Sequence, residues 1–393
     1  EGPDVTGFEE RHSQLMGRQA TEDETSRYVK AWQRDRLALF GSALREEWKR
    51  RHQELTADVG PAEHPEFPSY VTEWFGPTSP KNVQDLRSMS VEEIIDYLKA
   101  WRPSGDFFGP SPEGLGRELS TLVASEPDRF ASEAERFREI DPTYVRALVS
   151  GFCNAVGKEH AFAWPPVLAL SRWVAAQARE IPGRNSKGRG IDPDWGWTRK
   201  AIAELLAAGF GNIPGGLTFD LRETAWEVLS ALTEDPDPTP DREVSDGHST
   251  MDAPTLSINT TRGEAMHTVI KYALWVHRHL EKMTDGKQRL ARGFAEMPEV
   301  RGILGYHLSP EDDPSKAIRS VYGQWFPWLV LLDRNWAAQS VPRVFPSDEA
   351  SRQFRDAAWE TYIRSCAPYN DAFDALRDEY TRTVEWITGE PSE

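Results

Sequence analysis

The sequence predicts an all-α fold, and three observations carry that prediction. Apolar residues recur at three- to four-residue steps through most of the chain. Proline, glycine and aspartate fall between these segments, where helices begin and end. Alternating apolar and polar runs flanked by hairpin turns such as Asn-Gly are absent.

Residues 25–57 read as one long helix, with Tyr28, Trp32, Leu37, Phe40, Leu44 and Trp48 along an apolar stripe. Gly60 and Pro61 end it, and residues 61–80 form a proline-rich loop. Ser90 and Glu93 make a capping box that opens a helix through Ile94, Ile95, Leu98 and Trp101, which Pro103 stops. Segments 115–123 and 128–137 follow. Asp141 as N-cap and Pro142 at the first helical position start a helix to Val156, and Pro166 starts another to Ile181. Residues 197–210 close on Gly211, and residues 221–233 carry Ala225, Val228, Leu229 and Leu232.

The rhythm then breaks. Residues 234–254 are dense in proline and acid and poor in core residues, which predicts a surface loop or linker. Helices resume over 262–283, 288–294, 298–304, 315–332, 351–363 and 369–387. Roughly 14 to 16 helices with short breaks, but no strict period, suggest irregular helix pairs that bury their apolar faces against the next pair. The expected architecture is an irregular HEAT-like helical-repeat solenoid, with a globular multi-helix bundle as the alternative. The expected divisions are residues 1–85 (long helix and proline-rich loop), 86–233 (helical-repeat region), 234–260 (acidic linker) and 261–393 (C-terminal helices).

Composition narrows the function. A net charge of −17 repels polyanions and disfavours nucleic acid, despite a basic patch over residues 45–51. Cys153 and Cys366 stand far apart with no CxxC pair, as expected of a chain in the reducing cytoplasm. No apolar run approaches the roughly 18 residues of a membrane span, and no signal peptide is visible. The chain begins at Glu1 without an initiator methionine, as expected after processing, removal of a tag or excision from a longer polypeptide.

Motifs for chemistry are missing, so no catalytic residue, metal or cofactor is expected. There is no phosphate-binding Gly-x4-Gly-Lys motif, and Gly209, Gly211, Gly215 and Gly216 read as a helix C-cap and loop. His277 and His279 lie two apart on a helix and His267 lies ten before His277, which is poor spacing for a metal. The acidic stretch from Asp235 lacks the glycine and closing glutamate of a calcium loop, and no Gly-x-Ser-x-Gly elbow exists. The glycosylation sequon at Asn259 is discounted.

Two stretches stand apart as candidate binding segments. Residues 257–267 read as an elaborate helix N-cap or as a polar contact patch of Asn259, Arg262 and His267, with Gly263 admitting a close neighbour. Residues 322–328 place Trp325 and Trp328 around Pro327, which should kink the helix. They read as core packing or as an exposed recognition surface.

Ser257-Ile-Asn-Thr-Thr-Arg-Gly-Glu-Ala-Met-His267, Tyr272-Ala-Leu-Trp-Val276 and Ser320-Val-Tyr-Gly-Gln-Trp-Phe-Pro-Trp-Leu329 resemble the helical C-terminal regions of large bacterial multidomain proteins. Those proteins are grouped with defence-associated, STAND-like ATPases, and the similar stretch covers about residues 86–388. The resemblance implies a helical sensor or scaffold arm and transfers no active-site residue. The expected function is therefore non-catalytic binding of a macromolecular partner, a protein first. The rivals are an all-α hydrolase with a carboxylate and histidine site, and a nucleic-acid-binding solenoid with a basic stripe.

Overall fold

A computed structural model describes residues 2–16, 18–41, 44–61, 78–104, 109–184, 190–243 and 251–388. Every regular element among them is a helix, apart from one isolated bridge between Thr78 and Pro110. The all-α class holds. Two compact units emerge, one of Glu1–Pro80 with Trp101–Leu115 and the other of Lys81–Ala100 with Gly116–Glu393.

The first unit holds α1 (Val5–Met16), α2 (Glu22–Ala38) and α3 (Glu46–Val59). The single helix expected over residues 25–57 is thus two helices. The chain leaves the helix after Ala38, and Gly41 takes a φ of +46°, a conformation side chains resist. The break also ends the expected stripe, leaving Phe40 and Trp48 in solvent while Tyr28 is buried. Phe8 stacks on Tyr28 at 4.5 Å. Thr21 and Glu24 form a capping box, and hydrogen bonds from Arg18 hold the Glu24 carboxyl well below the usual carboxylate range. Arg34 donates to Val59 O and Gly60 O at the end of α3. Most of the loop expected over residues 61–80 lies outside the described residues.

The second unit opens with α4 (Val83–Arg87) and α5 (Val91–Ala100), the latter started by Ser90 and Glu93 as expected. After α6 (Pro112–Ser125), which belongs to this unit from Gly116 onward, α7 (Pro127–Ala131) and a 3-10 turn, α8 (Pro142–Gly157) starts on Asp141, which accepts from the Thr143 amide at 3.0 Å. Then come α9 (Trp164–Ala176), α10 (Gly196–Gly209), α11 (Arg222–Thr233), α12 (Pro240–Glu243), α13 (Ala253–Ile258) and α14 (Thr261–Glu281). The C-terminal elements are α15 (Gly286–Leu290), α16 (Pro298–His307), α17 (Lys316–Leu332), α18 (Arg334–Val344), α19 (Arg352–Ser365), α20 (Asn370–Ala375) and α21 (Arg377–Thr388). Helix α18 has no counterpart in the sequence reading. Asp333 caps it, and Trp336, Ala337 and Val344 are too sparse a buried set to show as a stripe.

The main packing runs between helices that are not adjacent in sequence: α8 packs on α10, α10 on α14, α14 on α17 and α17 on α19. Beside them, α9 meets α11, α11 meets α14, and α18 meets both α17 and α20. The layers close on Leu148, Phe152, Ile202, Leu206, Val269, Phe326 and Tyr362, all buried. Helices α17 and α19 approach so closely that a Cβ on Gly323 would lie 2.0 Å from Ala358 O.

Arginines tie helix ends from neighbouring elements. Arg199 donates to Ala175 O and Gln177 O at the end of α9, and Arg278 donates to Phe210 O just past α10. Arg319, 1% exposed, donates to Leu308 O and Arg343 O at the ends of α16 and α18. Helix C-termini carry unpaired carbonyls and about half a negative charge, so a guanidinium satisfies both needs.

The acidic segment, expected to be a surface loop or linker, is exposed only in part. It lies within the second unit, its described part contains α12 and α13, and Asp235 and Asp237 are buried. Asp235 pairs with Arg179 and Arg199, both distant in sequence, and Asp237 pairs with the nearby Arg242. Residues 244–250 lie outside the described residues. No helix of the described residues is long and apolar enough to cross a membrane.

Candidate functional site

Helices α13, α14 and α17 meet around His267, which is 3% exposed. The Trp325 indole Nε1 donates to His267 Nδ1 at 2.8 Å. An indole N–H is a donor only, so Nδ1 must be the unprotonated nitrogen. Nε2 then carries the proton and donates to Ser257 Oγ at 2.9 Å, and Ser257 in turn donates to Pro254 O at 2.7 Å. Burial pushes the imidazole pKa down to about 3, so the ring is neutral. This arrangement is structural. A histidine whose Nε2 already holds a proton cannot take one from Ser257, so the pair is no activated nucleophile.

The same segment shows why Gly263 stands in the first turn of α14. A Cβ there would lie 2.0 Å from Ser257 O. The expected N-cap chemistry of this stretch is corrected, because the Thr260 side chain caps nothing. Its hydroxyl donates back to Leu256 O, and that of Thr261 reaches Gly196 O at the start of α10. The capping side chain is instead Asp252, one helix earlier, which accepts from the Thr255 amide. Its hydrogen bonds from Thr255 and Arg364 hold its pKa down to about 2.

Trp325 continues outward into a run of rings. Trp325 and Trp328 stand edge to face at 6.0 Å, and Trp328 and Tyr369 at 5.8 Å. Trp325 and Trp328 are half-buried, and Tyr369 is 49% exposed. Helix α17 continues through Pro327, which is itself buried, so the proline does not end the helix.

Arg262 faces elsewhere. It donates to Asp235 O and Pro238 O at 3.0 and 2.9 Å and pairs with Asp313 at 3.3 Å. Asp313 also holds His307 Nδ1 at 2.7 Å, both residues nearly wholly buried. Asn259 is exposed and bonds only locally, to Thr255 O. The polar patch of Asn259, Arg262 and His267 expected from the sequence therefore does not assemble. Two of its members spend their donors and acceptors inside the protein, and only Asn259 faces solvent.

Of the five predicted residues, His267, Trp325 and Trp328 come together and Arg262 and Asn259 do not join them. Tyr369 was missed. It is a lone tyrosine before a short helix, with no local signal that α17 and α20 pack together. No group of three or more His, Cys, Asp or Glu residues that could hold a metal ion occurs among the described residues. Both cysteines are raised by burial to about 11, which removes thiolate reactivity at neutral pH. Compared with known proteins, the chain matches no family model, no curated protein and no solved structure.

Proposed function

We propose that the chain is a non-catalytic helical scaffold that binds a protein partner through the ring run Trp325, Trp328 and Tyr369. One observation carries the reading. Three touching aromatic rings lead from a buried, neutral histidine to solvent, so the innermost is fixed before any partner arrives. Tryptophan and tyrosine dominate the energetics of protein interfaces, and rings already held in place lose little freedom on binding.

A HEAT-like solenoid in the second unit is supported by the serial packing of α8, α10, α14, α17 and α19, each on the next. The net charge of −17 favours a protein over a nucleic acid. Two free cysteines fit a cytoplasmic setting. The sequence resemblance adds the biological frame: a sensor arm of a larger bacterial defence or signalling protein.

The test places a photo-crosslinking phenylalanine analogue at Tyr369 in cells of the source. Trp197, 57% exposed and outside the ring run, serves as the control position. The reading expects a discrete protein adduct from position 369 that disappears in the Trp328→Ala background. Identical adducts from both positions, or adducts removed by nuclease, would overturn it.

A further inference from the structure

The glycine turn after α10 and the last turns of α14 enclose an open cleft of about 340 Å3, lined in part by Asn212, Ile213, Trp275, Arg278, His279 and Lys282. Every titratable side chain lining it is a nitrogen base and no carboxylate lines it, although the chain carries a net charge of −17. None of the three is neutralised by an acid among the described residues. Arg278 donates to Phe210 O at 2.6 Å, His279 stacks on Phe219 at 3.5 Å with the rings 2° from parallel, and Lys282 has no ion pair.

The C-termini of α10 and α14 that border the cleft together supply about one negative charge, which does not balance the two full positive charges of Arg278 and Lys282. The opposite wall is rigid. Gly216 N donates to Ile213 O, Leu217 N to Gly209 O, and Trp164 Nε1 to Gly215 O. Gly215 has a φ of +79°, and a Cβ there would lie 2.7 Å from His160 O. The amides of Asn212 and Ile213, both lining residues, donate to no backbone carbonyl of the described chain.

We propose that this cleft binds the phosphate group of a small soluble phosphorylated compound. Surplus positive charge, a fixed loop and walls free of carboxylates are what a phosphate dianion requires. A cleft of this volume falls within the range of small-ligand sites.

Calorimetric titration of the full chain with inorganic pyrophosphate at low ionic strength is the test. The expected result is saturable one-site binding, weakened about tenfold by Lys282→Glu and a few-fold by Lys282→Gln. Lys287→Gln, an exposed lysine that does not line the cleft, should leave it unchanged. Arg278 is not the residue to replace, because it also anchors the end of α10. His279→Gln provides the second cleft variant and should also weaken binding. No saturable heat with wild type, or equal affinity in the cleft and control variants, would overturn the proposal. Phosphatidic acid vesicles form the second arm, and vesicle binding without pyrophosphate binding would overturn it in favour of a lipid surface.

Discussion

The indole nitrogen of Trp325 donates to Nδ1 of His267 at 2.8 Å, and this bond decides the chemistry of both residues. It fixes the imidazole in one neutral tautomer and holds the tryptophan at the inner end of an exposed run of rings.

Acid sensitivity follows first. The His267 pKa falls from an ordinary 6.5 to about 3. Unfolded chains take up this proton below pH 6.5 and folded chains only near pH 3. The contribution is complete above pH 6.5 and is lost as pH falls towards 3. At pH 5 the loss from this residue is about 2 kcal/mol. Urea unfolding of wild type and His267→Gln at pH 7.5 and pH 5 measures it, and the variant should lose about 2 kcal/mol less between the two pH values. Equal losses would contradict the buried neutral state.

Removing the donor isolates the bond itself. Trp325→Phe keeps an aromatic ring but leaves Nδ1 buried and unsatisfied, which costs about 1–3 kcal/mol. Equilibrium denaturation of the single variant checks this, and a smaller change would mean that the bond matters little to the fold.

The fold class was legible in the sequence because an amphipathic stripe and its caps are local features. Ser90 with Glu93 and Asp141 with Pro142 start helices where their chemistry says they should. Long-range pairings were not legible. Nothing near Asp235 signals that Arg179 and Arg199 lie beside it, so composition alone made that stretch a surface loop or linker. The long helix over residues 25–57 failed for a related reason: the helix ends at Ala38 and a glycine at positive φ follows at Gly41, while the spacing of apolar residues continues past both. At the candidate site, sequence singled out His267 and Trp325 but not their bond, because 58 residues separate them.

The buried acid gives a third expectation. Asp235 accepts from Arg199 at 2.8 Å, pairs with Arg179 and receives the Asp237 amide at 3.0 Å. Asp235→Asn leaves the buried Arg199 without its counter-charge, while Arg179 keeps Asp194 and Asp237, at a cost of about 3 kcal/mol. A midpoint in urea close to wild type would show that this network contributes little.

Two glycines make opposite predictions. Gly263→Ala drives a Cβ to 2.0 Å from Ser257 O and should destabilise strongly, by about 2 kcal/mol or more. Gly302→Ala in α16 meets nothing within 4 Å and should stabilise by about 0.5–1 kcal/mol. Thermal midpoints of the two variants, moving in opposite directions from wild type, are the readout.

The ring run as a protein-binding surface is tested most directly by the affinity of Trp328→Ala for the partner captured at position 369, measured by calorimetry with purified proteins. The expected result is a loss of about 2 kcal/mol, roughly thirtyfold in Kd, with the helical circular dichroism retained. A variant that stays folded and binds with wild-type affinity would contradict the proposed surface.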